Sequence, residues 1–499
     1  MNAGANWRRW RERANRIIGA RAAGWIMLAA LAALYAAAYW GDELNPGASI
    51  PAERRGWWSW ADQTKYVEAA NALAQGRVDA ASYYFPLGYS ALAVPFVRLM
   101  PAQPFFWPNL ACVLLSAVLA WRLARRWLSP LASVALGALF IATHAVLLRL
   151  TMVIPWNTLP VQAALLGGML LVLTRRDGAA VAWLAAIAAV TYWMRPGDAA
   201  CFAPLLVFAT LRLPTWRARV GWGALGVMLI AASAGAMAWL NLRTFGHWRT
   251  PYEQGTFENI GFFSYPMLHK AYWLLVDGET FFGEYGSALL WRYPWLFLAV
   301  PGVVFWVRRD GVAGVACVAT IALNWGLYFN YNDFVPSAVF RFSLIHYLVW
   351  AFVPLAIAAT AAVVVGWRER AVRGAAALAL AMFALAIGLK LKERPLPEVA
   401  TGPGEVRELP AARPLWIEWP GEKQERVGAL RLDGRAMREG ADYQMPYVPV
   451  REARLLLSDD ARGRRLAAGE GETIAAVPRV GDYVWSWWPR WRRLAPSRE

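Results

Sequence analysis

The sequence predicts a polytopic α-helical membrane protein, and its composition is the first of three observations behind that prediction. Of the 499 residues, 58% are hydrophobic and 17% are Asp, Glu, Lys or Arg, whereas soluble chains average about 45–50% and about 25%. The apolar residues gather in long runs, and clusters of arginine separate alternate runs. Scarce charge excludes a disordered chain, and the presence of only three cysteines excludes a disulfide-built one.

The apolar runs predict about eleven spans, because a transmembrane helix needs about 20 predominantly apolar residues. The spans are expected near residues 23–40, 104–122, 131–148, 158–174, 179–194, 199–211, 219–240, 292–307, 311–329, 342–366 and 374–391. The chain is thus divided into a basic N-terminus (1–22), a membrane domain (23–391) and a C-terminal tail (392–499). The tail is rich in Pro, Gly, Glu and Arg, and it predicts a small soluble domain, either α/β or mostly β.

The arginine clusters predict the orientation of the spans. Nineteen arginines fall in the N-terminus and in alternate short connections, which the positive-inside rule places in the cytoplasm. Topology therefore accounts for the net charge of +17, and the predicted partner is membrane lipid rather than nucleic acid. The opposite face carries two long loops, 41–103 and 241–291, and most of the carboxylates of the membrane domain. Ionisable groups near the membrane usually mark function, so the site is expected on this face.

The first long loop contains the most informative segment. Its pattern predicts an interfacial helix from Asp62 to a glycine C-cap at Gly76, with Asp62 and Tyr66 above an apolar stripe that can lie on the membrane. Three tryptophans before this helix are typical of an interfacial anchor, and a second short helix is expected over 90–100. An aspartate at the start of a helix is either an N-cap or a functional carboxylate.

This segment resembles the C-type (GT-C) glycosyltransferases that use polyprenyl-phosphate sugars. The shared features are a span, an outer acidic residue, a tyrosine four residues later, small residues and Leu-x-x-Gly, followed by Pro86-Leu-Gly-Tyr89. Within that class the chain resembles the branch of aminoarabinose transferases and protein O-mannosyltransferases. The resemblance covers the architecture of residues 20–390 and is specific mainly over residues 57–95.

The resemblance implies a glycosyltransferase of the bacterial inner membrane with a periplasmic active site and a periplasmic C-terminal domain. The enzyme would move a hexosyl or pentosyl group from a polyprenyl-phosphate carrier to a glycan, lipid or protein acceptor. Asp62 would be the general base, with Asp42 or Glu43, the acidic pair after the first span, as the alternative. Direct displacement of the phosphate would invert the anomeric centre.

Cationic groups at the outer ends of spans are the candidates for the donor phosphate, because the positive-inside rule disfavours them there. They are Arg341, Arg195, Lys65 and His346. A snorkelling arginine, a structural Arg195–Asp198 pair and a structural histidine are the alternatives. The candidate substrate-binding residues are Tyr66, Tyr83, Tyr89, Asn157 and Asp198. Asn157 also fits a turn or a helix cap.

The sequence predicts no cofactor. The four histidines are dispersed, and neither a cysteine cluster nor an Asp-x-Asp motif occurs. Two carboxylates from separate loops are the remaining way to hold a divalent metal. Three other functions stay open: an O-antigen ligase or polymerase, which should carry a dominant late periplasmic loop; a transporter or flippase, which should bury charges in mid-span; and a non-catalytic scaffold.

Overall fold

The computed structural model describes most of the chain up to residue 391 and a set of short strands beyond it. The described residues are 10, 12–14, 21–42, 45, 61–143, 152–257, 267, 271, 273–277, 288–331, 344–391, 399–401, 406–408, 415–419, 430–438, 443–444, 453–457, 465–467 and 474–478. Two predicted site residues, Glu43 and Arg341, lie outside these ranges, as do most of the N-terminus (1–22) and the tryptophans at 57, 58 and 60.

Sixteen α-helices occur in the described residues. They are α1 (Arg21–Trp40), α2 (Ala61–Ala74), α3 (Gly88–Val97), α4 (Phe106–Ala124), α5 (Pro130–Thr143), α6 (Thr158–Thr174), α7 (Gly178–Met194), α8 (Pro196–Ala199), α9 (Ala203–Leu211), α10 (Trp216–Phe245), α11 (Pro251–Gly255), α12 (Leu289–Arg292), α13 (Ala299–Asp310), α14 (Val312–Asn330), α15 (Phe352–Val364) and α16 (Arg370–Leu391). Short 3-10 segments precede α9, α13 and α15.

The helices have the character of a membrane protein, but the prediction of about eleven spans is wrong. Among the described residues, three helices are long and apolar enough to cross a membrane: α4, α10 and α14. Six shorter apolar helical segments in the same part of the chain, including α3, α6 and α7, have 10–17 residues. At 1.5 Å per residue, even 17 residues cover about 26 Å, which is less than the hydrocarbon core of about 30 Å. Sequence hydropathy located the apolar runs, but it counted as spans several runs whose helices are too short to cross a membrane.

The chain divides into two compact units. The first contains Met1–Gly255, Leu298–Trp325 and Ile345–Ala376, and the second contains Thr256–Phe297, Gly326–Leu344 and Ala377–Glu499. The predicted domain boundary at residue 391 is therefore not the boundary between the units, because parts of the predicted membrane domain group with the tail.

In the first unit, the predicted helix of the first long loop is present, and its apolar stripe packs inside the protein. The helix α2 ends as predicted, since Gly76 has a φ of +71° and its N–H donates to the Leu73 carbonyl at 2.9 Å. Tyr66, Ala69 and Ala70 on its apolar face are at most 4% exposed and pack into two clusters with residues from the following loop and α3. The expectation that this stripe lies on the membrane surface is therefore wrong, because α3 and its flanking aromatic residues cover it.

The first unit brings several of the predicted cytoplasmic connections together. Arg126 after α4 pairs with Asp310 at the end of α13 at 2.6 Å, and Arg308 pairs with Glu369 after α15 at 3.2 Å. His346 and Tyr347 precede α15, whereas Glu369 follows it. The candidate site residues and the basic connections therefore lie at opposite ends of α15. The assignment of these ends to cytoplasm and periplasm stays a prediction.

In the second unit, the described part of the tail forms strands. Nine of them make two antiparallel sheets, with strand orders β1-β9-β3-β7-β6 and β2-β8-β4-β5. Their bounds are β1 (Val399–Thr401), β2 (Val406–Glu408), β3 (Leu415–Trp419), β4 (Arg431–Leu432), β5 (Arg435–Ala436), β6 (Tyr443–Gln444), β7 (Ala453–Leu457), β8 (Arg465–Ala467) and β9 (Ile474–Pro478). Of the two predicted alternatives, mostly β describes these residues.

The glycine of the Pro-Leu-Gly-Tyr element has a steric role that can be tested. A Cβ on Gly88 would lie 2.7 Å from the backbone carbonyl of Trp193, at the contact between α3 and α7. We expect Gly88→Ala to lower the melting temperature of the detergent-solubilised protein, since overpacking against backbone typically costs about 1–3 kcal/mol. Gly235→Ala in α10 is the control, because nothing lies within 4 Å of its Cβ position. An equal response of the two variants would contradict this role.

Candidate functional site

The N-terminal turn of α2 is fixed by a buried contact of Gln63, the residue next to Asp62. The described helix begins at Ala61, so Asp62 lies in the first turn rather than at the N-cap. The neighbouring Gln63 is fully buried, and its Nε2 donates to the Pro155 carbonyl at 3.1 Å. Asp62 itself is half-buried. The carboxylate is therefore carried on a helix end whose position is set by a buried amide.

Tyr66, one turn after Asp62, connects this carboxylate electrostatically to Arg195. Burial raises the pKa of the Tyr66 phenol well above its ordinary value, the Asp62 carboxylate raises it further, and the Arg195 guanidinium lowers it. The ring packs against Phe85 and Tyr89, with centroid distances of 5.0 and 4.9 Å. Asp62 and Arg195, which come from separate segments, thus both affect the pKa of the same buried phenol.

The turn before α6 forms the next side of the cluster. The ring of Trp156 stacks on His346, with centroids 4.5 Å apart and an interplanar angle of 19°. Asn157 lies at the N-cap position of α6, but its side chain makes no capping bond. Instead its Nδ2 donates to the Met194 carbonyl at 3.1 Å, directly before Arg195. The amide therefore fastens this turn to the end of α7.

Arg195 is held in an extended conformation between α7 and α8. A residue before proline is disfavoured in helical geometry, and Pro196 occupies the first position of α8, so α7 ends at Met194. The Arg195 guanidinium lies 4.6 Å from the centroid of the Tyr347 ring. Its Nε contacts Asp198 Oδ2 at 3.0 Å, and the two side chains are 9% and 1% exposed. The structural Arg195–Asp198 pair anticipated as an alternative is thus present.

Asp198 also accepts a hydrogen bond from a residue that the sequence analysis missed. Asn324 in α14 is fully buried, and its Nδ2 donates to Asp198 Oδ1 at 2.9 Å. An amide within an apolar run is a sign that could have revealed this position, since such a group needs a partner inside the protein. Gln63, Trp156 and Tyr347 were also missed, and their roles arise from tertiary contacts.

These contacts form a continuous path around the candidate site. It runs from α2 to the turn before α6, from there to His346 and Tyr347, and through Arg195 back to the turn by way of Met194. A half-buried carboxylate and a held guanidinium on such a path can take up a proton and stabilise an anion, respectively.

Other predicted site residues have structural contacts of their own. Lys65 pairs with Glu68 at 2.7 Å on the outer face of α2. The Tyr83 hydroxyl donates to Asn241 Oδ1 at 2.5 Å, and the Tyr89 hydroxyl donates to Asn109 Oδ1 at 3.0 Å. The structure brings Tyr89 next to Tyr66 and places Tyr83 against α10.

Asp42, the alternative base, lies in the turn that follows α1. Its carbonyl accepts the Asn45 N–H at 2.9 Å, and Tyr39 donates to Gln103 at 2.6 Å in the same region. The path of contacts described above does not include this turn. Glu43 and Arg341 belong to segments outside the described residues.

Within the described ranges, no group of three or more His, Cys, Asp or Glu side chains could hold a metal ion. Comparison with known proteins adds no assignment: no protein-family model matches the chain, and no curated protein matches it either.

The buried ion pair gives a prediction about stability. We expect Asp198→Leu to destabilise the protein by about 3–5 kcal/mol, because removing one partner leaves the Arg195 charge without its carboxylate in an apolar setting. The double variant Arg195→Met/Asp198→Leu should recover much of this loss. The measurement is denaturant unfolding in detergent, as a double-mutant cycle.

Glu68→Gln is the matched control, since it breaks a partly exposed pair on α2 and should change stability little. Additive losses for the two site substitutions would show that the pair has no coupling energy and would overturn the prediction.

Proposed function

We propose that the protein is a membrane glycosyltransferase that transfers a sugar from a polyprenyl-phosphate carrier to an acceptor, with inversion and with Asp62 as the general base. The observation that carries the proposal is the pair of buried hydrogen bonds that join the start of α2 to Arg195. Gln63, next to Asp62, donates to the Pro155 carbonyl, and Asn157 in the same turn donates to the Met194 carbonyl directly before Arg195. Asp62 and Arg195 come from the two segments in which the resemblance and the charge distribution placed the base and a phosphate ligand. The resemblance itself supplies the substrate class.

The proposed reaction needs few groups. The acceptor hydroxyl loses its proton to the Asp62 carboxylate while its oxygen attacks the anomeric carbon of the donor. The bond from that carbon to the phosphate oxygen breaks, and the electron pair leaves with the polyprenyl phosphate. A phosphate is a good leaving group, so positive charge near it serves in place of a general acid. In this proposal Arg195 has that role.

The buried position of Arg195 suits a phosphate ligand better than a snorkelling role. Its side chain is 9% exposed, and its Nε contacts Asp198 Oδ2 at 3.0 Å. A guanidinium is suited to bind a phosphate in bidentate fashion. Asn324 and Asp198 would keep the guanidinium in one orientation, which lowers the reorganisation needed when the phosphate arrives.

The flippase or transporter alternative predicts buried charges in mid-span. The described buried ion pair lies instead at a helix end, between α7 and α8. Asn324, its partner in α14, is six residues from Asn330 at the end of that helix, a rise of about 9 Å. This placement favours chemistry near one membrane surface over passage through the membrane.

The proposal is tested by turnover of purified full-length protein with polyprenyl-phosphate sugars, measured as release of the polyprenyl phosphate in the presence of glycan, lipid or protein acceptors. We expect Asp62→Asn to lower kcat by about 10²–10⁴-fold, because general-base catalysis contributes that much. The amide keeps the shape of the side chain and cannot accept the proton.

Glu68→Gln is the matched control, because it also replaces a carboxylate by an amide but on a different face of α2. Its turnover should equal that of the unaltered protein. Undiminished turnover of Asp62→Asn would rule out Asp62 as the base, and a loss in Asp42→Asn would then transfer that role to Asp42.

A further inference from the structure

A surface groove lies beside the end of α10, apart from the candidate site. Its volume is about 560 Å³, and it is lined by Val78, Asp79, Ala80, Trp239, Leu240, Arg243 and Thr244. One wall is the segment that follows α2 and the other is the last turns of α10. Asp62 is at the opposite end of α2, whose 14 residues extend about 20 Å. The groove is therefore a separate feature from the Asp62 cluster.

The walls of the groove are held by buried contacts. Tyr83 is 1% exposed, packs on Phe245 with a centroid distance of 5.0 Å and hydrogen-bonds to Asn241. Asn241 in turn donates from Nδ2 to the Trp248 carbonyl at 2.9 Å. Leu240 both lines the groove and packs on the cluster of Ala69, Tyr83 and Leu87. The groove is thus formed by the fold of this region and does not require a ligand to assemble it.

The groove lies at the level expected for lipid headgroups. Only 11% of the apolar window of α10 is buried inside the protein, so this helix is the described span most exposed to lipid. Of its exposed tryptophans, the outermost two, Trp216 and Trp239, are 23 residues apart, a rise of about 35 Å. That distance fits two aromatic belts around a hydrocarbon core of about 30 Å. Arg243 is one turn beyond Trp239 and so reaches the headgroup layer.

Opposite charges line the groove. Among the described residues, the exposed Arg243 guanidinium makes no hydrogen bond or ion pair, and it lies 5.1 Å from the centroid of the Trp239 ring. Asp79 accepts from the Ser82 N–H and hydroxyl at 3.0 and 2.8 Å, and it pairs with Arg77 at 2.6 Å. Both members of this last pair are well exposed, and such pairs contribute little, so another cation can share the carboxylate.

We propose that this groove binds a zwitterionic phospholipid headgroup of the phosphoethanolamine type, with the phosphate on Arg243 and the ammonium on Asp79. A guanidinium and a carboxylate in one groove complement a ligand that carries one phosphate and one primary ammonium. An anionic headgroup without an amine would meet the Asp79 carboxylate, and a trimethylated amine has no N–H to donate to it. The Trp239 ring lines the same groove and lies beside the Arg243 guanidinium.

Native mass spectrometry of the delipidated full-length protein in a non-ionic detergent tests the proposal. The probes are phosphatidylethanolamine, phosphatidylcholine and phosphatidylglycerol with identical acyl chains, and a polyprenyl phosphate. Phosphatidylethanolamine should bind tightest. We expect Arg243→Gln to weaken its binding about tenfold, as loss of a charge-assisted hydrogen bond does. Asp79→Asn should remove the preference over phosphatidylcholine and leave the weaker phosphate contact.

Arg217→Gln is the matched control, because Arg217 pairs with Trp216 at the other end of α10, outside the groove residues. Its affinity for phosphatidylethanolamine should be unchanged. The proposal would be overturned by equal binding in Arg243→Gln, by an equal loss in Arg217→Gln, or by a wild-type preference for phosphatidylglycerol or polyprenyl phosphate. These binding results do not depend on whether the protein transfers a sugar.

Discussion

The ion pair between Arg195 and Asp198 is the interaction on which the geometry of the candidate site depends. An apolar helical interior offers little water, so each buried charge has to find its partner within the protein. Asp198 satisfies Arg195 and accepts the amide of Asn324, which joins the α7–α8 junction to α14. Arg195 in turn lies over Tyr347, whose neighbour His346 stacks on Trp156. One buried charge thereby determines the relative positions of four separate segments.

The fold was predictable where hydropathy alone decides the structure. The apolar run at 158–174 matches α6, and the run at 179–194 matches α7 to within a residue. Prediction failed where a run is interrupted inside the folded unit. The run at 342–366 predicted a single span, yet its described part contains two 3-10 segments before α15, which has 13 residues. Whether an apolar run forms one long helix depends on its neighbours, and hydropathy does not contain that information.

The candidate site was predictable in its residue types and not in its contacts. Asp62 stood out through the family resemblance, and Arg195 and His346 stood out as cationic groups at predicted outer span ends. Asn324 was missed: an amide in an apolar run indicates a partner inside the protein, but the sequence does not show that this partner is Asp198. Tyr83 and Tyr89 stood out as motif residues, yet their hydroxyls hydrogen-bond to Asn241 and Asn109, which are 158 and 20 residues away in the chain. Pairings of that kind arise only from the folded structure.

The helix α2 links the candidate site to the end of α10. Its first turn carries Asp62, and one face is buried along its length by the clusters around Tyr66 and Ala69. The second cluster includes Tyr83, which is hydrogen-bonded to Asn241 near the end of α10. Buried contacts along α2 therefore hold the turn that carries Asp62 in a fixed relation to the last turns of α10.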